Sequence, residues 1–253
     1  MLKEERYERI LELLEGEQYL SAQALSQRLF VSLPTIRRDL SELQARNQIT
    51  RSHGGAKKTH SENIVAPLDF RKTVNASAKR ALCAKAAELV QDNQIIFIDA
   101  STTTLQMAHF LGEKKNITVI TNGIALATLL AKKGIKTYCT GGEIFESSMA
   151  HFGSFAEDFI RRFNIDILFF SCHGINDTGM LTDPSLPETQ IRRVAIGQSK
   201  KTVFLCDKTK FSLSTPYNLV PIQSINCIIT DAEDVKDRFS LNENTHILIV
   251  NNA

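Results

Sequence analysis

Two groups of residues in this 253-residue chain carry recognisable chemistry. In the first, Ser32, Thr35 and Arg38 recur three apart, which sets them on roughly one face of a helix. Thr35 offers a hydroxyl to a base or a phosphate. Arg38 offers a planar fork that matches a guanine edge or a phosphate. Arg37 is placed to reach the nucleic-acid backbone beside the groove. Asp39 is expected to salt-bridge a neighbouring arginine and hold its rotamer. Further on, Arg51 and His53 precede Gly54-Gly55, read as a tight turn. Arg51 would lie along phosphates, whereas His53 is either a backbone contact or a surface residue.

The second group sits where apolar runs end. Asp99 is followed by Ala100, Ser101, Thr102 and Thr103, whose hydroxyls and backbone N–H groups suit a phosphate or carboxylate, or else an ordinary helix cap. Thr121-Asn122-Gly123 repeats that geometry. Gly141-Gly142, Ser171-Cys172-His173-Gly174 and Asp207 to Lys210 close three further runs. His173, Arg192 and Lys210 are the candidate cations for a small anionic ligand. Asp99, Asp177, Asp183, Glu188, Asp207 and Lys210 also allow acid–base work on a sugar phosphate. There is no GxGxxG or GxxxxGK[ST] loop. The histidines have no recurring ligand spacing, so neither a metal site nor a cofactor is expected.

The elements that must position these groups follow from periodicity. Lys3 to Glu15 reads as a one-faced helix. Ser21 caps a second helix with Ala24, Leu25 and Leu29 inward, and Val31 fits a buried turn. Ser32 is expected to cap a third helix, with Pro34 in its first turn and Ile36, Leu40 and Leu43 as its inner stripe. Ile49 and Thr50 begin a strand. Together these outline a winged helix-turn-helix, whose second helix would present its N-terminal residues to the major groove. From Ala76 onward, seven apolar runs (95–99, 117–121, 136–140, 165–171, 202–207, 225–230 and 247–250) alternate with helical stretches. Near-continuous apolar strands of this kind predict a largely parallel sheet with helices on both faces. Ligands of such sheets sit beyond the carboxyl ends of the strands.

Composition narrows the reading. Thirty basic residues face 28 acidic ones, yet between Arg28 and Lys58 seven basic residues meet only Asp39 and Glu42. The positive surface is therefore local, which is what phosphate contact requires. The five cysteines are scattered and form no CxxC pair, so reduced buried thiols are expected. No apolar run approaches membrane length and Met1 leads into a charged helix, which predicts a cytoplasmic protein.

Val31 to Leu40 (VSLPTIRRDL), Arg51 to Ala56 (RSHGGA), Asp99 to Thr103 (DASTT), Thr121-Asn122, Gly141-Gly142, Gly153, Gly179, Glu188, Arg192, Asp207 and Lys210 together resemble the DeoR family of bacterial sugar-metabolism regulators, over essentially the whole chain. The resemblance implies an α/β protein: an N-terminal winged helix-turn-helix joined to a Rossmann-like effector domain similar to ribose-5-phosphate isomerase and CoA-transferase folds. It also implies repression of a catabolic operon and release from DNA by a phosphorylated sugar or related metabolite. Three positions depart from the family pattern: Ser101 for glycine, Arg192 for lysine and His173 for serine. The histidine would make ligand binding pH-sensitive. Asp183 to Pro187 would form a loop over the site, and Glu188 would lie in a region that is catalytic in the isomerases.

The expected organisation is a DNA-binding domain over 1–57, a linker over 58–75 and an effector-sensing α/β domain over 76–253. The partners expected are double-stranded operator DNA, a phosphorylated sugar or related small anionic effector, and further copies of the chain in a dimer or tetramer, with no membrane. A sugar-phosphate isomerase with a DNA-binding head is the alternative.

Overall fold

The computed structural model describes residues 2–17, 19–46, 48–52, 55–58 and 68–251. The chain divides into two compact units, Met1–Ala66 and Pro67–Ala253. Among the described residues no helix is long and apolar enough to cross a membrane.

In the first unit, helices α1 (Lys3–Gly16), α2 (Ala22–Leu29) and α3 (Leu33–Ala45) enclose a core closed by a three-stranded sheet. Its strands are β1 (Leu20–Ser21), β2 (Ile49–Ser52) and β3 (Gly55–Lys58), in the order β1-β3-β2. Ile10, Leu14, Leu25, Ile36, Leu40 and Leu43 are fully buried, as helical spacing demands, and Ala22 is buried with them rather than Ala24. Each such side chain contributes roughly 1.5–3 kcal/mol on burial. Val31 packs half-buried at the turn. Ser21 caps α2 by accepting from the Ala24 N–H at 3.0 Å. Ser32 does not cap α3: its hydroxyl pairs with that of Thr35 at 2.7 Å.

Gly55 is a strand residue rather than part of the turn, paired with both Ser52 and Ser21. A side chain there would meet the Leu20 carbonyl at 2.3 Å, so only glycine lets β1 close against β3. The stretch expected as linker is not uniform. Lys58 ends β3, residues 59–67 lie outside the described residues, and helix α4 (Leu68–Thr73) occupies most of the remainder.

The second unit is built on a seven-stranded parallel sheet, and each of its strands coincides with one of the seven apolar runs. These are β4 (Ile95–Ile98), β5 (Thr118–Thr121), β6 (Lys136–Cys139), β9 (Ile165–Phe170), β12 (Ser199–Cys206), β14 (Cys227–Thr230) and β15 (His246–Ile249), in the order β15-β14-β12-β9-β4-β5-β6. Alternate residues feed opposite faces. Phe97, Leu168, Phe170, Phe204 and Ile228 enter one core, and Ile96, Ile98, Phe169, Leu205 and Ile229 the other. Helices α5 (Ala76–Glu88) and α6 (Ile124–Lys132) cover the second face; α7 (Ser154–Ile160), α8 (Leu186–Gly197) and α9 (Val235–Arg238) cover the first.

Two smaller sheets complete the unit. One is the hairpin of β7 (Glu143–Phe145) and β8 (Ala150–Phe152). The other joins β10 (Gly174–Ile175), β11 (Met180–Asp183) and β13 (Tyr217–Pro221). All five cysteines are free thiols, and only Cys139 is incompletely buried.

Candidate functional site

The outward face of α3 carries the first set of residues. Arg37 and Arg38 are exposed, and neither guanidinium has an ion pair or hydrogen bond among the described residues. Ser32 is exposed and Thr35 half-buried at the same end of the helix. Asp39 does not serve these arginines. It is buried against Arg6 of α1, which binds it through two nitrogens at 2.5 and 2.9 Å. The pair clamps α1 to α3 and fixes how the inner stripe of α3 seats, which leaves Arg37 and Arg38 outward. Arg51 on β2 donates to the Ser41 hydroxyl of α3 at 2.8 Å, tying wing to helix. His53 lies outside the described residues.

In the second unit the strand order reverses beside β4, which has β5 on one side and β9 on the other. A reversal of this kind opens a crevice at the carboxyl ends of the strands. Asp99 follows β4 there, and each of its side-chain bonds is made to the chain's own loops and helices. Oδ1 accepts from the Ser101 N–H at 3.2 Å and the Thr104 hydroxyl at 2.7 Å. Oδ2 accepts from the Ser171 N–H at 3.3 Å and from Arg192 Nε at 2.9 Å.

Arg192, projecting from α8, is likewise not a free cation. Its Nη1 donates to Asp183 at 2.8 Å and to Glu188 at 3.2 Å. Burial opposes its charge, but three carboxylates outweigh burial and hold the guanidinium firmly protonated. Burial pushes the Asp183 carboxyl up despite that guanidinium. Asp183 also accepts from the His173 N–H at 3.0 Å. Three of the carboxylates singled out as acid–base candidates thus meet around one arginine, whereas Asp177 is exposed in the turn between β10 and β11. The stretch from Asp183 to Pro187 is no loop over the site: Asp183 ends β11, Ser185 caps α8, and Leu186 and Pro187 begin that helix.

The segment after β4 closes on itself instead of opening an α-helix. Thr104–His109 is a single 3-10 stretch. Ser101 Oγ pairs with the Thr104 hydroxyl at 2.8 Å and accepts its N–H at 3.1 Å. Thr102 and Thr103 point inward and are buried. Thr102 accepts from the Lys79 ammonium at 3.2 Å, and Thr103 Oγ1 has no partner.

Lys79, which the sequence reading passed over, is 5 % exposed and also donates to the Arg71 carbonyl. Burial first, then Lys210, pulls its pKa down to about 8. It lies three and four residues before Leu82 and Cys83, so a lysine on the buried stripe of α5 was the readable signal. Lys210 donates to Ser171 Oγ at 2.6 Å and the Cys172 carbonyl at 2.7 Å. Asp207 does not pair with it; its carboxylate caps the turn at Thr209 and accepts from Asn75 at 3.0 Å. Among the described residues neither Lys79 nor Lys210 forms an ion pair.

An open cleft lies beside this network, lined by Asp99, Ser101, Asn122, Ser148, Glu188 and Arg192 among others. Asn122 donates to the His151 carbonyl at 3.3 Å, and its Oδ1 is unpaired. Gly141 and Gly142 do not line it: their φ angles of 69° and 111° turn the chain into the β7–β8 hairpin. A side chain at Gly142 would meet the Phe152 carbonyl at 2.5 Å. Burial, followed by Lys210, Arg71 and Arg192, pulls the His173 imidazole down to about 4. In the ligand-free chain its charge change therefore falls below the ordinary histidine range.

The description "DeoR-like helix-turn-helix domain" matches residues 6–62, and "DeoR C terminal sensor domain" matches residues 74–232. The chain belongs to the DeoR family. DeoR relatives include the transcriptional repressor AccR of Agrobacterium fabrum, 32% identical over 90% of both chains. The glycerol-3-phosphate regulon repressor of Escherichia coli is 31% identical over 92% of both. Among solved structures, ribose 5-phosphate isomerase A of Methanocaldococcus jannaschii aligns with 54% of this DeoR chain and 55% of its own, at 16% identity and a TM-score of 0.41.

Proposed function

We propose that this DeoR-family regulator represses a carbohydrate catabolic operon and leaves its operator when a phosphorylated sugar or related metabolite fills the crevice beside β4. One observation carries the anionic nature of that metabolite. Lys79 and Lys210 are buried or half-buried ammonium groups whose bonding partners are neutral oxygens only. Taking a cation out of water without a directly bonded counter-ion is costly, so an anion drawn to these two groups would stabilise them. Arg192, Asp99 and Asp207 hold the loops in place and contact the effector less than their charges suggest. The repressor names of the relatives support the direction of regulation.

The DNA side rests on Arg37 and Arg38, with Arg51 along the phosphates. A dimer or tetramer would bring paired heads to half-sites one helical turn, or a multiple of it, apart. The effector drives release only through a difference in its affinity for the DNA-bound and DNA-free arrangements. The crevice senses rather than turns over its ligand, because Asp99 and Asp183 spend their oxygens on Arg192 and backbone N–H groups. Thermal unfolding of the full chain with phosphorylated sugars, the same sugars unphosphorylated, and inorganic phosphate tests the reading. Phosphorylated compounds should raise the Tm and the unphosphorylated sugars should not; a response to unphosphorylated sugars alone would refute the anionic site.

A further inference from the structure

The cleft contains two polar atoms that the folded chain leaves without a partner, Asn122 Oδ1 and Ser148 Oγ. Their residues are 2 % and 5 % exposed. A buried polar atom without a hydrogen bond is rare because it is costly. Both positions are fixed by neighbours rather than by these atoms. Asn122 gives its amide N–H to the His151 carbonyl, which leaves Oδ1 as the free acceptor, and its own carbonyl accepts from the His151 N–H at 2.8 Å. Ser148 lies in the connection between β7 and β8, where Arg71 donates to the Ser147 carbonyl at 2.8 Å and the Met149 carbonyl accepts from the Ile124 N–H at 3.2 Å. The framework therefore holds the two oxygens still while leaving them unpaired.

Glu188 and Arg192 stand on the same cleft. Glu188 uses Oε2 on Arg192, and among the described residues its Oε1 is unused, as is Arg192 Nη2. Arg71 lines the same cleft and interacts electrostatically with Glu188, so the wall presents three acceptor oxygens beside two guanidinium groups. A carboxylate and an amide oxygen receive hydroxyl donors, and neither Lys79 nor Lys210 is part of this wall, so its chemistry is distinct from that of the two lysines. Resting on the effector reading above, we infer that Asn122, Ser148 and Glu188 form a hydroxyl-reading subsite that selects among phosphorylated polyols, with Ser148 on the β7–β8 hairpin as a specificity-determining residue.

The test is titration calorimetry of the full chain with pentose and hexose phosphates, their matched deoxy analogues and inorganic phosphate. In the wild-type chain at least one sugar phosphate should bind about tenfold or more tightly than its deoxy analogue. Ser148→Ala should erase most of that ratio. It removes an unpaired oxygen, so the ligand-free variant should melt no lower than wild type; Ser148→Cys, close in size, should lose the ratio in the same way. The inference is overturned if both variants keep wild-type discrimination, or if sugar phosphates bind no better than inorganic phosphate. If neither sugar phosphates nor inorganic phosphate bind, the anionic effector reading fails as well, and the two failures are distinguishable.

Discussion

The side chains that matter most here differ in whether their charge is already satisfied. Arg192 is surrounded by Asp99, Asp183 and Glu188, so replacing it strands three carboxylates. Arg192→Ala should unfold the second unit rather than merely weaken effector binding. Asp39 and Arg6 form the corresponding clamp in the head. Asp39→Ala should cost roughly 1.5–3 kcal/mol of stability, read by urea unfolding. Arg38 is exposed and unpaired among the described residues, and on the proposed function it spends its charge on DNA. Arg38→Ala should cost about 1–3 kcal/mol of discrimination if it reads a base, or lower the salt slope of binding by about 1 if it contacts a phosphate. His173 makes a separate statement about pH. Its folded pKa, about 4, lies below the ordinary 6.5, so between those values the unfolded chain binds more protons. Stability contributed here is present above pH 6.5 and is lost as pH falls toward 4, by up to roughly 3 kcal/mol. Relative to His173→Asn, the wild-type chain should lose stability across that window and differ by a constant amount above it, a comparison that chemical denaturation at stepped pH measures.

At the scale of elements, the strands were easier to read than the loops that arm them. Strands such as β9, β12 and β14 are buried on both faces, so each is a near-continuous apolar run and needs no partner to be recognised. The β7–β8 hairpin and the small β10–β11–β13 sheet escaped because their strands have two to five residues and exposed positions such as Ile144 interrupt any alternation. Asp183–Pro187 looked like a proline-stiffened loop, yet proline early in a helix is compatible with its missing N–H groups, and α8 starts there. Lys79 and Ser148 were missed for opposite reasons. One is a charge hidden on an apolar stripe, and the other is a common turn residue whose unpaired oxygen only three dimensions reveal. Of the Gly54-Gly55 pair expected as a turn, Gly54 lies outside the described residues and Gly55 is where β1 and β3 touch. Gly55→Val should break that contact, costing roughly 1–3 kcal/mol or more. Operator binding should be lost while the effector-dependent melting of the second unit survives, which a two-transition thermal scan resolves.

For the whole molecule, the two units divide the labour by electrostatics. Among the described residues, the head leaves Arg37 and Arg38 unpaired on its outer face, and the sensor unit leaves Lys79 and Lys210 without an ion pair. On the function proposed above, each set would complete its charge with an anion, DNA in one case and a small metabolite in the other. This pairing was only half legible in the sequence: the basic cluster between Arg28 and Lys58 stands out in an otherwise balanced chain, but the lysine pair is 131 residues apart and is joined only by the fold. The most direct test is operator release, followed by fluorescence anisotropy, in the full chain carrying Lys79→Met. Methionine fills the space without the desolvation cost, so the variant should fold at least as stably and bind operator as wild type does. The sugar phosphate that frees wild-type protein should need at least about tenfold more to free the variant. Release of Lys79→Met at the wild-type concentration would contradict the account.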